Sequence, residues 1–468
     1  MQFGISYISS FLQKYGHRTN LLVLSRLFGR KNTTLLKEYM SNFNPQLICF
    51  TAVASEYRFI ADIARYIKRH YPHVYLLIGG VHATLNPEEV LLDDFDALCI
   101  GEGEKPTLEV VEQLKKKQLP SSVSNIWVKN GSDVEKNLPR EFMQKLDDLP
   151  FPDRGMWQKW MKRAEPERVS ILLSRGCPFS CSYCCNHALR KITQGAYVRH
   201  RSPDNIVKEI NQILIEFPTI KELYLEVETI TSNMDWCLRL CAELTNLNSR
   251  LKQPLSFGAN IRPTSNANFD ILFSVFRKAN FRFINIGLES GSEKLRRETL
   301  RRNYSNDDII NCVKLARKHG LQVCFFNLIG IPGETLADIK ETIEINRICK
   351  PDWDFTSIFF PYPGTALHSI CKRQGLLKKN LDTRKERQRA VLDMPGLSRR
   401  EIQRSFKFFH YYVDGILDPN DKRLSWILLL KLAVIDCCKK VYKRMIRTPF
   451  LKNLLLLMKN YLKTTIKK

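Results

Sequence analysis

The sequence lacks the features that mark secreted and membrane-spanning proteins. Its opening residues, "MQFGISYISS", have neither the basic lead nor the long apolar core of a secretory signal, and no low-complexity tract follows. The apolar stretch "LSWILLLKLAVIDCC" is interrupted by Lys431 and Asp436, so it is too short and too charged to span a bilayer. We therefore expect a cytoplasmic globular protein.

A disulfide framework is not indicated, although the chain has 14 cysteines. Most of them stand alone inside apolar runs, as Cys49, Cys99, Cys312 and Cys324 do. Isolated thiols of this kind are usually buried in a reducing compartment. With 468 residues, 44% hydrophobic and 26% charged, the chain is long enough for two or three ordinary globular domains.

Charge is unevenly spread along the chain, whose formal net charge is +25. Residues 421–468 hold thirteen Lys or Arg against two Asp, a net of +11. In this tail Leu clusters are mixed with lysines, which is typical of a helix lying on an anionic membrane surface. The alternative is a docked helical cap with a solvated basic face.

Apolar segments alternate with helix-periodic segments along the first hundred residues. The expected strands are "NLLVLS", "QLICFTAV", "VYLLIGG" and "ALCIGEGE", and the expected helices include "ISYISSFLQKYG" and "EYRFIADIARYIKRHYP". Continuous apolar strands separated by helices favour a parallel, doubly wound α/β sheet. Such sheets bind ligands beyond the carboxyl ends of their strands.

A second βα series follows the polar connector "DDLPFPDRG". Its expected strands are "VSILLS", "ELYLEVE", "LSFGANI", "FINIGLE", "VCFFNLIG" and "FTSIFFPYP". Six strands alternating with helices predict a partial (β/α)6 barrel with its active site at the strands' C-terminal ends. We therefore divide the chain into an α/β domain at 1–104, a linker helix and connector at 105–167, a barrel at 168–375 and a helical region at 376–468.

Four cysteines fall within nine residues in "CPFSCSYCC", directly after the first strand of the second series. Cys177, Cys181 and Cys184 have the spacing C-x3-C-x2-C, which lets three thiolates converge on one face of a metal centre. A structural zinc site, the alternative, needs a fourth ligand at comparable spacing, and the adjacent Cys185 cannot easily point at the same ion. Electron-transfer clusters use four thiolates, so three leave one iron open to substrate.

This motif, with Tyr183 before its third cysteine, closely resembles that of the radical S-adenosylmethionine (SAM) enzymes. The resemblance implies that Cys177, Cys181 and Cys184 hold a [4Fe–4S] cluster whose fourth iron binds SAM, with Tyr183 close to the adenine. "YLEVETIT", "ANIRPT", "NIGLESGS", "LIGIPGET" and "PYPGTAL" resemble the family's later segments in the same order. The further SAM contacts that this implies are Glu228 (with Glu226 as second candidate), Arg262, Glu289, Ser290, Gly291 and Gly330.

One branch of the family carries an N-terminal cobalamin-binding domain, and residues 1–104 resemble it. The branch pairs an S-x-L segment with a downstream glycine pair; here Thr51 to Val53 takes the first place and Gly79-Gly80 the second. "GGVHATLNPEE" and "GEGE" resemble further segments of the branch. The cobalamin contacts that this implies are Thr51, Val53, Gly79, Gly80, His82, Gly101 and Glu102. The alternative is a generic doubly wound domain whose glycine pair is a turn.

The chain departs from this branch in two respects. The D-x-H-x-x-G segment that supplies a lower axial histidine is absent, which resembles members whose cobalt is five-coordinate or bound to water. The sequence also starts where the first helix is expected. We therefore expect the domain's first strand to be missing and its sheet to keep an open edge.

The reaction implied by the resemblance is reductive cleavage of SAM to methionine and a 5′-deoxyadenosyl radical, which abstracts hydrogen from an unactivated carbon. An external donor such as flavodoxin or ferredoxin supplies the electron. Cobalamin then favours delivery of a methyl group, with ring formation or rearrangement as the alternative within the branch. The basic tail favours a lipid or other apolar small molecule as substrate, and peripheral contact with a membrane.

Two other classes of protein stay open at this point. An RNA-modifying enzyme would use its basic surface to contact phosphates. The related methylthiotransferases, however, have three further N-terminal cluster cysteines, whereas only Cys49 and Cys99 occur here, so a nucleic-acid partner is disfavoured. The other class is a non-catalytic protein that binds cobalamin or a cluster.

Overall fold

Two large sheets, built mainly of parallel strands, organise the chain in the computed structural model, which describes residues 1–160, 167–264, 267–377, 381, 383 and 386–420. Residues 1–413 form one unit that contains both sheets. No helix within these described ranges is long and apolar enough to cross a bilayer. The basic tail at 421–468, with its predicted membrane-surface helix, lies outside the described residues.

The first sheet has five strands and is flanked by six helices. The strands are β1 (Leu47–Thr51), β2 (Tyr75–Gly79), β3 (Ala97–Cys99), β4 (Ile126–Asn130) and β5 (Asp133–Lys136). The helices are α1 (Phe3–Lys14), α2 (Lys31–Phe43), α3 (Ala54–His70), α4 (Val81–Leu85), α5 (Pro87–Val90) and α6 (Glu104–Lys115). The strand order follows the chain, and β1 to β3 run parallel. Within the described residues no strand precedes β1, which forms one edge of the sheet.

Alternate side chains of β2 pack on opposite faces of this sheet. Leu76 and Ile78 share a core with α2 and α3, whereas Tyr75 and Leu77 share a second core with α6. A strand that is buried on both faces needs an apolar residue at every position, as "VYLLIG" has. The predicted doubly wound α/β fold of this region is confirmed.

The segment "NLLVLS" is not a strand, which corrects the sequence prediction. Residues 20–25 have no regular secondary structure. The Leu21 carbonyl accepts a hydrogen bond from the Trp160 indole (3.1 Å), and the Asn32 side chain bonds both the amide and the carbonyl of Ser25 (3.1 and 2.8 Å). Backbone groups must find partners, and here side chains replace a neighbouring strand.

The structure also contains two strands that the sequence analysis did not predict. β4 pairs antiparallel with β3 and forms an antiparallel hairpin with β5. Both strands lie at 126–136, inside the segment assigned to a linker helix and connector. Gly131-Ser132 supplies the turn, and a Gly-Ser pair between two strand segments is a hairpin signal.

The second sheet is the predicted partial (β/α)6 barrel. Its strands are β6 (Arg168–Leu172), β9 (Glu222–Glu226), β10 (Ser256–Ile261), β11 (Phe281–Glu289), β12 (Gln322–Ile329) and β13 (Trp353–Ile358), and a small ribbon of β7 (Ser174–Arg175) and β8 (Arg199–His200) follows β6. All six strands are parallel, in the order β13–β12–β11–β10–β9–β6. β13 therefore forms one edge of this sheet, and β6 forms the other.

Helices cover the outside of this barrel and follow it in the chain. They are α7 (Asn186–Leu189), α8 (Pro203–Glu216), α9 (Met234–Arg250), α10 (Phe269–Lys278), α11 (Glu293–Glu298), α12 (Asn306–Lys318), α13 (Leu336–Cys349), α14 (Ala366–Arg373) and α15 (Arg399–Val413). Capping boxes start α12 (Ser305 with Asp308) and α13 (Thr335 with Asp338). The α13 cap fixes where the loop beyond β12 ends, and the α12 cap ends the loop that follows α11.

Candidate functional site

Cys177, Cys181 and Cys184 lie on the loop between β7 and α7, beyond the carboxyl end of β6. A parallel barrel presents its strand-to-helix loops on this face, where such folds carry their chemistry. The three thiols thus follow the first barrel strand, as the sequence predicted.

Hydrogen bonds hold this cysteine loop from several sides. The Ser182 amide donates to the Leu300 carbonyl (3.2 Å), and the Leu367 amide donates to the Ser182 carbonyl (2.9 Å). The Arg190 guanidinium donates to the Cys177 carbonyl. The loop is therefore anchored to residues far away in the sequence, which orders its thiols in advance.

The three thiols differ in exposure and in their charged neighbours. Cys181 is buried, whereas Cys177 and Cys184 are partly exposed, and all three are free. Arg262 Nη1 lies 3.5 Å from Cys181 Sγ, and the same guanidinium stacks 3.7 Å from the centre of the Phe179 ring. A guanidinium thus lies directly beside the buried sulfur of the loop.

The adjacent Cys184 and Cys185 differ in thiol acidity. A hydrogen bond from Cys185 lowers the pKa of Cys184 to about 7. The same bond, together with burial, raises the pKa of Cys185 far above its usual value. Cys184 is thus the sulfur that takes negative charge, and Cys185 supports it as a hydrogen-bond donor.

The donor set fits a cluster of several irons. No three His, Cys, Asp or Glu side chains within the described ranges lie close enough together to hold a single metal ion. The thiolate ligands of a four-iron cluster each bind a different iron, so they do not have to meet at one point. Three free thiols on one anchored loop, with a guanidinium beside the buried one, suit such a group.

Arg302, which the sequence analysis missed, joins most of the polar groups behind the loop. Its guanidinium donates to the hydroxyls of Tyr183 (2.8 Å) and Tyr304 (2.6 Å), the Glu289 carboxylate (3.2 Å) and the Gly287 carbonyl (3.1 Å). Burial opposes its charge, but Tyr183, Tyr304 and Glu289 outweigh burial and raise the pKa of Arg302. "LRRNYS" carries no motif that marks this residue, because its partners become neighbours only in the fold.

The "ESGS" segment at the end of β11 is under conformational constraint. Glu289 has a φ of 61°, in the left-handed region that non-glycine residues rarely adopt. The fully buried Ser290 follows it, and the Gly291 amide donates to Thr342 Oγ1 (2.8 Å). A Cβ on Gly291 would lie 2.3 Å from the Glu341 carbonyl oxygen, so only glycine lets α13 approach this closely. Such outliers often accompany binding sites.

Glu334 is a second residue that the sequence analysis did not single out. Its carboxylate accepts hydrogen bonds from the amides of Gly330 and Ile331 in "LIGIPGET". The side chain is 1% exposed, and its Oε1 has no hydrogen-bond partner among the described residues. Burial raises the pKa of Glu334 to about 8, so the group is mostly protonated at pH 7. It fixes the loop beyond β12, where Gly330 was predicted to lie near SAM.

The two acidic candidates at the end of β9 differ in their surroundings. Glu228 is exposed, and its charge adds to burial in raising the pKa of Cys177 to about 11, so it lies near the cysteine loop. Glu226 is partly buried, and burial raises its pKa although Ser170 donates a hydrogen bond to it. The geometry therefore favours Glu228 as the carboxylate beside the thiols.

The predicted cobalamin residues Thr51, Val53, Gly79 and Gly80 meet at the carboxyl ends of β1 and β2. Gly80 has a φ of 92°, and a Cβ there would lie 2.8 Å from both the Ala52 carbonyl oxygen and Thr51 Oγ1. Gly79 would accept a Cβ with ordinary contacts. Val53 is 50% exposed at this edge. The edge is thus open where doubly wound sheets bind ligands.

His82 is a buried polar group without a hydrogen bond at this same edge. The residue is 5% exposed, and neither ring nitrogen has a hydrogen-bond partner among the described residues. Burial lowers the pKa of His82 to about 4, so the ring is neutral and its 3.5 Å contact with Glu89 is not an ion pair. Buried polar groups normally have partners, and this one fits the polar edge of a bulky ligand.

Gly101 and Glu102 lie just beyond β3. The Gly101 amide donates to Thr84 Oγ1 (3.0 Å). The Glu102 carboxylate accepts from Arg175 (2.9 Å), Arg199 (2.9 Å) and the Met143 amide (2.8 Å). Through these contacts Glu102 joins the first sheet to the barrel, which the sequence analysis did not predict. Its contact with cobalamin stays a prediction.

The two groups of site residues adjoin each other. α4 begins directly after Gly80 and contacts α7, which follows the cysteine loop. A Cβ on Gly364, beyond β13, would lie 2.7 Å from Leu85 Cβ at the end of α4. The molecule is therefore an α/β protein in which a doubly wound sheet packs beside a partial barrel, with a three-thiol loop at their junction.

Two protein-family models match this chain, one for each of its two sheet-containing regions. The model of the B12 binding domain matches residues 1–111, and that of the Radical SAM superfamily matches residues 171–345. The chain thus carries a B12 binding domain followed by a radical SAM domain, the pair of domains that the sequence predicted. The cofactors of these families are a [4Fe–4S] cluster, SAM and cobalamin.

Relatives of known sequence include methyltransferases and a cyclase. The chain is 25% identical over 382 residues to an uncharacterised methyltransferase, PH0819, of Pyrococcus horikoshii, covering 80% of this chain and 79% of that protein. It is 23% identical over 373 residues to the anaerobic magnesium-protoporphyrin IX monomethyl ester cyclase of Rubrivivax gelatinosus, covering 78% and 65%. The hopanoid C-3 methylase of Methylococcus capsulatus is 23% identical over 388 residues, covering 79% and 68%.

Two solved structures share the fold. One is the radical SAM methyltransferase TsrM of Kitasatospora setae, with a TM-score of 0.65 at 16% identity over 81% of this chain and 74% of that one. The other is the cobalamin-dependent radical SAM enzyme OxsB, with a TM-score of 0.60 at 15% identity over 89% and 54%. At 15% and 16% sequence identity, these similarities show only that the fold is shared.

Proposed function

We propose that this chain methylates an unactivated carbon of an apolar or lipid-like small molecule. The observation that carries the proposal is the anchored three-thiol loop beside Arg262, Arg302 and Glu289, adjoining a domain edge with a partnerless buried His82. When bound, the [4Fe–4S] cluster supplies the electron that cleaves SAM, and cobalamin carries the methyl group. The protein supplies position, charge and a fixed backbone.

Each cofactor has a set of residues that would hold it. The cluster is held by Cys177, Cys181 and Cys184. SAM contacts Tyr183, Glu228, Arg262, Glu289, Ser290, Gly291 and Gly330. The residues that would contact cobalamin are Thr51, Val53, Gly79, Gly80, His82, Gly101 and Glu102.

Opposite charges in the SAM site suit the two charged ends of an amino acid. Glu228 is exposed near the thiols and attracts an ammonium group, whereas Arg262 and Arg302 attract a carboxylate. Arg302 is held by Tyr183 and Glu289, so it keeps one orientation. Charges that are fixed before binding stabilise a reacting complex without further reorganisation.

The choice of an apolar substrate is supported by relatives as well as by composition. The hopanoid C-3 methylase and the bacteriochlorophyllide d C-8(2)-methyltransferase are named for large, mainly apolar molecules. The basic, leucine-rich tail at 421–468, outside the described residues, suits contact with an anionic membrane. Flotation with anionic vesicles tests that contact, and binding that salt does not weaken would count against it.

A cyclase is the second candidate function, because the magnesium-protoporphyrin cyclase is as similar as the named methylases. Both reactions begin with SAM cleavage, so both need an external one-electron donor such as flavodoxin or ferredoxin. They differ in products: methyl transfer through cobalamin consumes a second SAM and yields S-adenosylhomocysteine, whereas cyclisation yields none.

The deciding experiment is anaerobic reconstitution with iron, sulfide and cobalamin, followed by reduction with dithionite and chromatography of the products. We expect 5′-deoxyadenosine from the wild-type chain, its loss in Cys181→Ala, and its retention in the adjacent Cys185→Ala. S-adenosylhomocysteine above the level of a cobalamin-free sample supports the methyltransferase. Absence of 5′-deoxyadenosine from the reconstituted wild type would falsify the proposed function.

A further inference from the structure

A cavity of about 500 Å³ opens between the start of α3 and the outer barrel strand β13. Its walls include Ser55 and Glu56 from α3, Phe355 and Ser357 from β13, and Phe406 from α15. Cavities that hold small ligands typically span about 300–1,000 Å³. The cavity is therefore large enough for a small molecule, and it lies where the first sheet's domain meets the barrel.

Phe355 lines this cavity and, together with the neighbouring Phe326, forms an exposed aromatic platform. Phe355 and Phe326 are paired residues on β13 and β12, and their rings lie nearly parallel, 26° apart with centroids separated by 5.8 Å. Phe355 is 57% exposed and Phe326 is 36% exposed. Two neighbouring aromatic faces left open to solvent are unfavourable unless something covers them.

The polar residues on the neighbouring barrel strands are already engaged with one another. The Tyr224 hydroxyl donates to Asn260 Oδ1 (2.6 Å), and the Asn285 amide donates to both Tyr224 (3.0 Å) and Asn260 (3.0 Å). Side chains that satisfy each other offer little for recognising a polar ligand. The aromatic platform is the feature best able to select a ligand by shape.

The charges at the rim do not favour one sign. Glu56 and Arg387 both line the cavity, and Arg387 Nε donates to the Tyr362 hydroxyl (3.0 Å). The pKa of Arg387 is raised overall. Burial alone would lower it, but the interactions with Tyr362, Glu386 and Glu289 have the larger effect. Because Glu289 is among these charges, the cavity lies near the predicted SAM site.

We propose that Phe326 and Phe355 form the wall that selects the substrate of the proposed reaction, and that this substrate has a flat, apolar ring body. The inference rests on the proposed function. A flat ring can stack on the exposed face of this nearly parallel phenyl pair, whereas a flexible chain loses conformational freedom to do so. The rim, with charges of both signs, accommodates polar substituents at the edge of the ring.

Photoaffinity labelling with anthraquinone, a planar and uncharged aromatic ketone that abstracts hydrogen on irradiation, tests this wall without requiring turnover. The full chain, reconstituted with iron, sulfide and cobalamin, is irradiated with the probe, and labelled peptides are mapped by mass spectrometry. We expect label in the peptide that contains residues 353–358. Phe355→Ser should reduce it about tenfold through the lost ring contact, and Ser357→Trp, which fills the cavity, should do the same.

Ile271→Ser is the matched control, because Ile271 is an apolar residue that is 60% exposed on α10 and outside the cavity. Its labelling at 353–358 should equal that of the wild type, and circular dichroism checks that every variant is folded. Label that is confined to other peptides, or that Phe355→Ser leaves unchanged, overturns the inference. The release of 5′-deoxyadenosine from the same wild-type sample reports separately on the proposed function.

Discussion

Arg302 is the residue on which the predicted SAM site depends most, because it is buried and holds groups from distant parts of the sequence. Its side chain is 10% exposed and that of its partner Glu289 is 13% exposed. Removing one member of such a pair leaves the other charged and unpaired, so Arg302→Met should lower the free energy of unfolding by about 3–5 kcal/mol. Urea denaturation of the anaerobically purified protein measures this.

A double-mutant cycle separates this pair from general packing. Adding Glu289→Gln to Arg302→Met should restore part of the lost stability, since the unpaired carboxylate is then gone. Arg297→Met is the control, because Arg297 is 62% exposed and its contact with Glu298 is long, at 3.6 Å. Equal losses for Arg302→Met and Arg297→Met would contradict the assignment, as would a double variant that shows no recovery.

Glu334 should make stability depend on pH in an unusual direction. Its pKa in the folded protein is about 8, above the ordinary value of 4.5, because the carboxyl is buried. The protonated form therefore stabilises the fold: this contribution is complete below pH 4.5 and is lost as the pH rises towards 8. Relative to Glu334→Gln, the wild type should lose about 1.4 kcal/mol per pH unit within that window.

Urea denaturation at several pH values between 5 and 8 checks the prediction for Glu334. The glutamine keeps an oxygen for the amides of Gly330 and Ile331 but does not titrate. Glu344→Gln serves as the control, because Glu344 is 59% exposed and pairs with Arg347 on the surface of α13. A constant difference between wild type and Glu334→Gln across this range would show that Glu334 is charged in the fold.

Gly79 and Gly80 at the end of β2 should respond differently to substitution by alanine. At Gly80 both the φ of 92° and the close Ala52 carbonyl require glycine, so Gly80→Ala should cost about 1–3 kcal/mol of stability. Gly79 meets no such limit in the protein itself, so Gly79→Ala should fold almost normally. We propose that the missing side chain at Gly79 leaves room for cobalamin to approach the backbone.

Cobalamin absorbance after gel filtration, read beside the urea midpoint, distinguishes the two glycines. We expect Gly79→Ala to keep its urea midpoint but to lose bound cobalamin, whereas Gly80→Ala loses both. A Gly79→Ala variant that retains stoichiometric cobalamin would favour the alternative that the glycine pair is a turn and nothing more.

The elements differ in how far the sequence predicts them. The barrel strands were predictable because each contains a short run rich in apolar residues, as in "VCFFNLIG", where Val323, Cys324 and Phe325 are fully buried. "NLLVLS" has the same composition, yet its bonds go to Trp160 and Asn32, which no local pattern reveals. β5 is mostly polar, so the only local signal for it is the Gly131-Ser132 turn that precedes it. The cysteine loop was predictable from spacing, whereas Arg302 depends on contacts that exist only in the fold.

At the scale of the whole molecule, an ion-pair cluster ties the cobalamin-binding domain to the barrel. Glu102 contacts Arg175 and Arg199, and Arg175 also pairs with Glu104. Burial favours the neutral form of Glu102, but the two arginines hold its pKa below the usual value. Glu102 therefore stabilises the fold fully when the pH is above the pKa of this residue in the unfolded chain. This contribution is lost as the pH falls through the pKa of Glu102 in the folded protein.

Glu102→Gln tests whether this cluster fixes the two domains against each other. The change leaves Arg175 with Glu104 but takes the carboxylate from the buried Arg199, so we expect a loss of about 2–4 kcal/mol in unfolding free energy. Hydrogen exchange should rise on both sides of the junction, at β3 and at β7–β8. Glu109→Gln, which removes a half-exposed partner of Arg140, is the control. If Glu102→Gln instead leaves exchange unchanged and releases cobalamin, Glu102 acts on the cofactor and the cluster does not hold the junction.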